Sequence, residues 1–306
     1  MVATHPASRV ALLFTGSRPD VSMKLIISIV VYNWEADVLR SSLVALSRSL
    51  DVADSREELT SCELWLSYNG PGKLDEIEST NLVQGVFSWP YRLLLQQPNL
   101  GYGGTNNLVL RNRVFTDKAL DPGKTAILVL NPDVWPEPDA IAIALAHLRS
   151  DPQVGLVCPR VLDRDGEVDT PGHKRYPSLA VLAARLLSPL MRIAAFRHLN
   201  ERYEYRDTSL AAARLGVELC SGCFLMARYD YWKTLNGFDE RFFMYFEDFD
   251  VALRGVEHGW AHLYEPSVRI LHAGGGAGQK SWQHRGWFVR SAWTFFSRHG
   301  WRIWRV

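Results

Sequence analysis

Residues 25–32 read L-I-I-S-I-V-V-Y, a continuous run of apolar and mostly β-branched side chains. Such a run, with no alternation of polar residues, is typical of a strand that is buried on both faces. A buried strand followed by an amphipathic helix indicates an α/β fold built around a mainly parallel sheet. The segment that follows meets this condition, because its leucines recur at helical spacing: Leu39, Leu43, Leu46 and Leu50.

The same alternation of strands and helices continues along the chain. Short apolar runs that end in turn residues predict further strands, and helical spacing of apolar residues predicts the helices between them. In a sheet of this type the ligand site lies at the carboxyl ends of the strands. The predicted strands are 63–68, 91–96, 126–130, 154–161, 218–228 and 261–271; a tight loop is predicted at 99–104, a helix at 105–118 and one amphipathic stretch at 179–193.

The overall composition is that of a globular protein and argues against two classes. The chain has 306 residues, and its 34 Lys and Arg against 33 Asp and Glu give a net charge of +1. A broadly basic surface that binds nucleic acid is therefore not expected. No apolar run approaches the ~20 residues that a membrane-spanning helix needs. Four cysteines are too few for a disulfide framework, which predicts a reducing, cytoplasmic location.

Two acidic motifs lie where a site is expected. Asp133 follows a buried strand in N-P-D, where a carboxylate can hold a divalent ion that bridges a diphosphate. The alternative is an ordinary turn, for which these residues are common. Glu247, Asp248 and Asp250 stand among aromatic residues, where burial and mutual repulsion raise a carboxyl pKa as a general base requires. The alternative for them is the first turn of a helix.

Three further motifs have residue types that occur in metal or redox sites. His272 ends a predicted strand in L-H-A-G-G-G, which allows close approach to a phosphate or a metal. The D-x-D spelled by 163–165 precedes a glycine, and Asp-Gly predicts a hairpin turn instead. The C-x-x-C at 220–223 has no second pair to complete a zinc site, so no metal or redox role is predicted.

Taken together, these segments resemble the family 2 glycosyltransferases of the GT-A fold, in particular the rhamnosyltransferase-like branch. The resemblance covers about residues 24–300, and the last of its motifs is highly specific whereas each of the others is weak alone. It implies a Rossmann-like, mainly parallel mixed sheet flanked by helices. The motifs are S-I-V-V-Y-N (28–33), N-L-G-Y-G-G-T-N-N (99–107), L-N-P-D-V (130–134), S-G-C-F-L-M-A-R (221–228) and G-F-D-E-R-F-F-M-Y-F-E-D-F-D-V-A-L-R (237–254).

The resemblance implies an inverting, hexosyltransferase-type reaction that moves a sugar, with rhamnose preferred, from a dTDP- or UDP-sugar. The acceptor would be a hydroxyl of a saccharide or lipid-linked saccharide in polysaccharide or glycolipid synthesis. Asp248 matches the catalytic base, with Glu247 close second, and Asp133 and His272 match ligands of Mg²⁺ or Mn²⁺. The positions implied to bind the donor are Tyr32, Asn33, Tyr68, Asn69, Asn99, Gly101, Asn106, Asn131 and Asp133.

The sequence departs from this family at two places. S-Y-N-G at 67–70 stands where relatives carry V-D-N-x-S, so Tyr68 replaces an aspartate that helps to recognise the base. The D-x-D motif is reduced to N-P-D, which leaves one protein carboxylate on the metal. Two alternatives stay open: an inactive nucleotide-sugar-binding relative, and a nucleotidyltransferase, although the chain lacks a Gly- and Lys/Arg-rich loop after its first strand.

The predicted organisation has three parts. Residues 1–22 show no periodicity and are expected to be a disordered extension, or to precede a true start at Met23. A GT-A domain spans 23–280, with a donor half (23–135) and an acceptor and catalytic half (136–280). The segment 281–306 is predicted as a basic aromatic helix, since it holds five Trp and five Arg but no acidic residue. It suits peripheral contact with the inner leaflet of a membrane; the alternative is packing on the domain.

Overall fold

The computed structural model describes residues 22–71, 74–274 and 282–306, so the predicted N-terminal extension lies almost wholly outside it. The strands are β1 (Met23–Val31), β2 (Leu59–Tyr68), β3 (Tyr91–Leu94), β4 (Thr125–Leu130), β5 (Val134–Pro136), β6 (Val154–Leu162), β7 (Asp169–Thr170), β8 (His173–Lys174), β9 (Arg214–Leu215), β10 (Leu219–Cys220), β11 (Phe224–Arg228) and β12 (Ala261–His272). The helices are α1 (Ala36–Ser55), α2 (Glu76–Gln84), α3 (Gly101–Val109), α4 (Ala140–Ser150), α5 (Leu179–Leu186), α6 (Ala194–Tyr203), α7 (Tyr229–Leu235), α8 (Glu247–Glu257) and α9 (Trp282–His299).

One mixed sheet organises the described chain. Its strands lie in the order β3-β2-β1-β4-β11-β6-β12-β5, with β7 added beside β6 and β9 beside β12. The first four strands of this order run parallel to one another, and β11 runs antiparallel between β4 and β6. A separate ribbon pairs β8 with β10. The α/β sheet flanked by helices is confirmed, and so is the helical aromatic region at the C-terminus.

The first strand is buried on both faces, as its apolar run predicts. On one face, side chains such as Ile27 join a core that includes the four leucines of α1 and the apolar residues of α4. On the other face, Ile26 packs in a second core with Val109 of α3 and Trp232 of α7. A third, largely aromatic cluster includes Val181 and Leu182 of α5, Phe246 immediately before α8, and Phe295 and Phe296 of α9.

Three predicted elements differ in the structure. The helix expected at 105–118 begins earlier, at Gly101, so most of the predicted loop is its first turn. The predicted strand 218–228 is divided into β10 and β11 by a turn at 221–223. The amphipathic stretch 179–193 is broken, because Pro189 cannot continue a helix and a short 3₁₀ turn separates α5 from α6.

The cysteines also differ from expectation. Cys158 of β6 and Cys220 of β10 are joined by a disulfide, with their Cα atoms 5.9 Å apart, whereas Cys62 and Cys223 are free and buried. The two partners are 62 residues apart in sequence, so only the topology of the sheet reveals the pair. The Asp-Gly turn before β7 is confirmed, with Gly166 at a φ of +78°.

Candidate active site

The functional motifs meet at one edge of the sheet. β4 ends at Leu130, and the antiparallel β11 begins opposite it at Phe224. The backbone N–H of Asn131 then donates to the carbonyl oxygen of Cys223 at 2.9 Å. The N-P-D segment after β4 and the turn before β11 therefore lie side by side, at the end of the sheet where parallel strands place a ligand site.

Asp133 and His272 come together at this edge. His272 is the last residue of β12 and pairs there with Val134 of β5. Its Nε2 atom lies 3.5 Å from Oδ2 of Asp133, and neither side chain is fully buried. These two side chains are a carboxylate and an imidazole, both ligands that Mn²⁺ accepts. Asp133 and His272, the predicted metal ligands, are thus adjacent in space although they lie 139 residues apart in the sequence.

The fit of a divalent ion to this site rests on these two side chains. Within the described ranges, no group of three or more His, Cys, Asp or Glu residues is arranged to hold a metal. Two protein ligands leave the remaining positions to diphosphate oxygens and water, which is how Mg²⁺ is commonly held beside phosphates. Asp133 and His272 are the residues that would hold the ion.

Asp248 lies in the first turn of α8 and is held by backbone donors. Its Oδ2 accepts the N–H of Gly222 at 2.8 Å, and its Oδ1 accepts the N–H of Phe249 at 2.9 Å. The two residues before α8, Tyr245 and Phe246, have φ values of 70° and 66°. Such values are unusual for bulky side chains, and strain of this kind is often found where function dictates the backbone.

Glu247 carries a buried carboxyl group beside Asp248. It is 8% exposed, and its Oε2 has no hydrogen-bond partner among the described residues. Burial and the neighbouring charge of Asp248 raise the pKa of Glu247 to about 8. Burial also raises the pKa of Asp248, while Lys174 and the N–H of Gly222 oppose that rise. The pKa values of both carboxyl groups are therefore raised, and Glu247 holds its proton at neutral pH.

The third acidic residue of this motif has a structural position. Asp250 is fully buried and accepts a hydrogen bond from Arg254 Nε at 2.7 Å, four residues along α8. His299 of α9 lies against its other oxygen at 2.9 Å. Asp250 thus fixes α9 to α8, and it has no atom directed to the cleft.

Two residues that sequence analysis did not assign lie at the site. Tyr102 donates its hydroxyl hydrogen to the carbonyl of Gly222 at 2.8 Å. Burial, followed by the charges of Glu247, Cys223, Asp248 and Asp133, raises the pKa of Tyr102 well above its ordinary value. Tyr102 belongs to the motif N-L-G-Y-G-G at 99–104, so the motif itself could have indicated this residue.

Lys174 is the second of these residues. Burial lowers its pKa and the charge of Asp248 opposes that change, while its Nζ stands 5.3 Å from the centre of the Phe249 ring. It reaches this position because β8 pairs with β10, immediately before the turn that contains Gly222. No local pattern in the sequence marks Lys174, since the pairing joins segments about 45 residues apart.

The predicted donor-binding residues divide into two groups. Tyr32 and Asn33 follow β1 and are exposed, and Asn131 is partly exposed at the same edge. Asn99 is exposed, and its Oδ1 accepts the N–H of Gly101 at 2.9 Å. Gly101 has a φ of +75°, and a Cβ there would lie 2.0 Å from the carbonyl oxygen of Phe243, so only glycine fits this close approach.

The other predicted donor-binding residues use their side chains inside the protein. Asn69 donates to the carbonyl of Gly101 and accepts the N–H of Leu100, both at 3.2 Å. Asn106 is fully buried and bonds to Ser28 and to the carbonyl of Tyr102. The buried Tyr68 donates to the carbonyl of Pro71 at 2.8 Å. These three side chains hold the loops around the edge.

Comparison with curated proteins finds rhamnosyltransferases. The sequence is 32% identical over 192 residues to N-acetylglucosaminyl-diphospho-decaprenol L-rhamnosyltransferase of Mycobacterium tuberculosis (strain ATCC 25618 / H37Rv), a match that covers 59% of this chain and 58% of that protein. It is 26% identical over 172 residues to rhamnosyltransferase WbbL of Escherichia coli (strain K12), covering 56% of this chain and 60% of the relative. The matches thus span little more than half the length of these relatives. No family model matches the chain.

Solved structures agree on the fold. The mannosyltransferase PcManGT from Pyrobaculum calidifontis, in complex with GDP-Man and Mn²⁺, superimposes with a TM-score of 0.56 at 17% identity, covering 92% of this chain and 67% of that one. GalNAc-T7 with UDP, GalNAc and Mn²⁺ gives a TM-score of 0.53 at 13% identity, covering 82% and 43% respectively. The resemblance inferred from the motifs is therefore confirmed: the chain has the GT-A glycosyltransferase fold and is similar in sequence to rhamnosyltransferases.

Proposed function

We propose that the protein is an inverting, metal-dependent glycosyltransferase that moves a sugar from a nucleotide-diphosphate donor to an acceptor hydroxyl. The observation that carries the proposal is that one turn joins both sets of residues: Gly222 accepts the hydroxyl hydrogen of Tyr102 and donates its N–H to Asp248. The carbonyl of the adjacent Cys223 accepts the N–H of Asn131, in the segment that carries Asp133, and His272 lies beside Asp133. A diphosphate-binding pair and a candidate base thereby border one cleft. The named relatives transfer rhamnose, and both solved neighbours contain Mn²⁺.

Asp248 is the proposed general base. Backbone N–H donors and the cation of Lys174 stabilise its charged form, so it is ready to accept a proton from an acceptor hydroxyl. The proton on Glu247 keeps the buried pair at a single negative charge, which limits repulsion between the two carboxyl groups. Gly222 and Tyr102 hold the turn that orients Asp248.

Asp133 and His272 are the proposed metal ligands. A divalent ion held by them would neutralise the charge that develops on the departing diphosphate. Tyr32, Asn33 and Asn131 are exposed or partly exposed at the same edge and are the proposed contacts to the donor. The base and the ion-binding pair then act on opposite partners of the reaction, the acceptor hydroxyl and the leaving group.

The substrate assignment follows from the relatives. The Mycobacterium tuberculosis protein is named for an acceptor with a diphospho-decaprenol lipid and for transfer of L-rhamnose. We propose a lipid-linked or polysaccharide acceptor and a dTDP- or UDP-linked donor, with rhamnose as the first sugar to test. In this assignment the protein works in the cytoplasm, where nucleotide sugars are made and used.

A second candidate is a nucleotide-sugar-binding relative without transferase activity. The observation that favours it is Tyr68, which replaces the aspartate expected for base recognition and directs its hydroxyl to the carbonyl of Pro71. A nucleotidyltransferase has less support, because the similar proteins are glycosyltransferases. Neither alternative predicts sugar transfer by the wild type, so Asp248→Asn should change nothing measurable in a transfer assay.

The first experiment measures thermal unfolding with UDP-, dTDP- and GDP-sugars, each with and without Mn²⁺. A ligand at about 100 times its Kd adds about 2.7 kcal/mol to the free energy of unfolding, which is easily visible. The donor identified in this way is then used in a transfer assay with Asp248→Asn, which should lower kcat by about 100-fold or more and leave donor binding unchanged.

Asp54→Asn, a matched change at an exposed position on α1, is the control. Donor binding with equal transfer by wild type and Asp248→Asn would reject the assigned base. Donor binding with no transfer to any tested acceptor would favour the inactive relative.

A further inference from the structure

Helix α9 has two faces of different character. One face packs into the domain through Ser291, Phe295 and Phe296, all nearly or fully buried. The opposite face exposes Trp282 (83% exposed) and Trp293 (66% exposed), which lie eleven residues apart on the same side. One side of α9 thus packs on the domain, while the other side exposes an aromatic surface. The exposed face also carries Arg285, Val289 and Arg290.

This exposed face continues beyond the helix. The Trp293 ring lies 5.0 Å from that of Trp301, and Trp304 lies 5.5 Å from Phe196 of α6. The carbonyl oxygens of Arg302 and Ile303 accept the first N–H groups of α5. The segments 179–200 and 282–306 therefore form one surface, the basic aromatic face, whose exposed apolar residues are Leu186, Leu187, Ile193, Trp282, Val289, Trp293, Trp301, Ile303 and Trp304.

The charge of this face differs from that of the whole protein. Neither 179–200 nor 282–306 contains an Asp or a Glu, although the whole chain is nearly neutral. Some of its arginines pair with acidic residues elsewhere, as Arg298 does with Asp239. Within the part of the chain that the structure describes, the following make no ion pair with an acidic side chain: Arg192, Arg197, Arg285, Arg290 and Arg305.

The basic aromatic face is held rigidly next to the active site. His299 of α9 contacts the buried Asp250 of α8, and Phe288 of α9 lies 5.2 Å from Phe246, the residue before Glu247. The exposed tryptophans cannot turn inward while the opposite side of the helix fills the aromatic core. A large exposed apolar patch of this kind marks an interaction surface.

We propose that the basic aromatic face binds the surface of a bilayer that contains anionic lipids. Tryptophan is favoured at the headgroup level of membranes, and arginine is attracted to anionic headgroups. A second copy of the chain is a poorer partner, because a two-fold contact would place the same uncompensated arginines against each other. This inference rests on the proposed function and deepens it, because binding to a membrane would bring the active site close to a lipid-linked acceptor.

No helix of the described chain is long and apolar enough to cross a membrane. The proposed contact is therefore one of side chains at the interface. Vesicle binding tests it directly with the full chain, using vesicles of phosphatidylcholine alone and of equal parts phosphatidylcholine and phosphatidylglycerol. Wild type should co-sediment with the anionic vesicles, and added salt should weaken the binding because it screens the arginines.

Two surface variants test the residues. Arg285→Glu with Arg290→Glu should lower the partition coefficient on anionic vesicles by about tenfold or more. Trp282→Ser with Trp293→Ser should weaken binding to a similar degree by removing apolar contact. The matched control is Arg40→Glu with Arg48→Glu, which makes the same charge change at exposed positions of α1 and should bind as wild type does.

Donor-induced thermal stabilisation is measured on the same variants and should be unchanged, because none of the altered residues lies at the cleft. Failure of wild type to bind anionic vesicles, or equal binding by the surface variants, overturns the proposal. A concentration-dependent dimer that the tryptophan variant abolishes, without vesicle binding, also overturns it in favour of self-association. Vesicle binding without donor binding would instead overturn the proposed function, while the proposal that the basic aromatic face binds a membrane would stand.

Discussion

The carboxylate of Asp248 lies against the backbone of Gly222, with 2.8 Å between Oδ2 and the amide nitrogen. A Cβ atom at position 222 would lie 3.1 Å from Cβ of Asp248 and 3.3 Å from Oδ2. Both distances are tighter than most contacts of a Cβ atom, so an alanine at position 222 would require Asp248 to move by a few tenths of an ångström. The turn before β11 is therefore part of the site, because its backbone holds the carboxylate of Asp248.

Gly222→Ala should displace Asp248 without removing it. We expect kcat to fall by about tenfold to 100-fold, since small displacements of a catalytic group are costly, while donor binding in the thermal assay changes little. The control is Gly123→Ala, whose Cβ would meet only an ordinary contact at 3.4 Å. An unchanged kcat in Gly222→Ala would show that the position of Asp248 is not limiting.

Glu247→Gln should change how stability depends on pH. The folded protein holds a proton on Glu247 up to about pH 8, whereas the ordinary pKa is 4.5, so the folded state binds more protons than the unfolded state across that window. Wild type should therefore lose stability as pH rises from 4.5 to 8, and Gln removes this part of the loss. Between the two ends of this window, the free energy of unfolding of the variant should rise relative to that of wild type by a few kcal/mol, since one pKa unit corresponds to about 1.4 kcal/mol.

Urea unfolding at the two ends of that window measures this effect. Glu167→Gln, at an exposed position near the hairpin turn, is the matched control and should follow wild type. If the difference between Glu247→Gln and wild type is the same at both ends, Glu247 is ionised in the folded protein and the proton assignment is wrong.

Tyr102→Phe should leave the carbonyl of Gly222 without its hydroxyl donor. We expect a loss of about 1 kcal/mol in the free energy of unfolding and a lower kcat, because the turn that holds Asp248 loosens. Tyr91→Phe on β3 is the control, a tyrosine at the far edge of the sheet. Equal kcat in Tyr102→Phe and wild type would limit the role of this hydroxyl to packing.

Asp133→Asn should abolish the extra thermal stabilisation that Mn²⁺ gives in the presence of a nucleotide diphosphate. Amide oxygen is a weaker ligand than carboxylate for a hard cation, and His272→Gln should have a smaller effect in the same direction. The control is Asp165→Asn, in the D-x-D sequence that forms the hairpin turn. Retention of the full Mn²⁺ effect in Asp133→Asn would place the ion elsewhere.

Elements whose signals are local could be predicted from the amino-acid sequence. The buried strand at 25–31 and the leucine face of α1 follow from apolar spacing, and the motifs around Asp133 and Asp248 mark their segments by residue type. Patterns of this kind depend on neighbours a few positions away, so they can be seen in the chain. The broken helix after Leu186 and the division of 218–228 were missed, because one proline and one turn outweigh a periodic pattern.

Which side chains lie at the site, and in which charge state, depends on long-range packing that no local pattern in the sequence shows. Lys174 arrives through the β8–β10 ribbon, and Asn106 is turned inward to Ser28. The proton on Glu247 and the disulfide between Cys158 and Cys220 depend on burial and on strands that are distant in sequence. Solvation and charge at a site are set by every segment packed around it, and that packing exists only once the chain has folded.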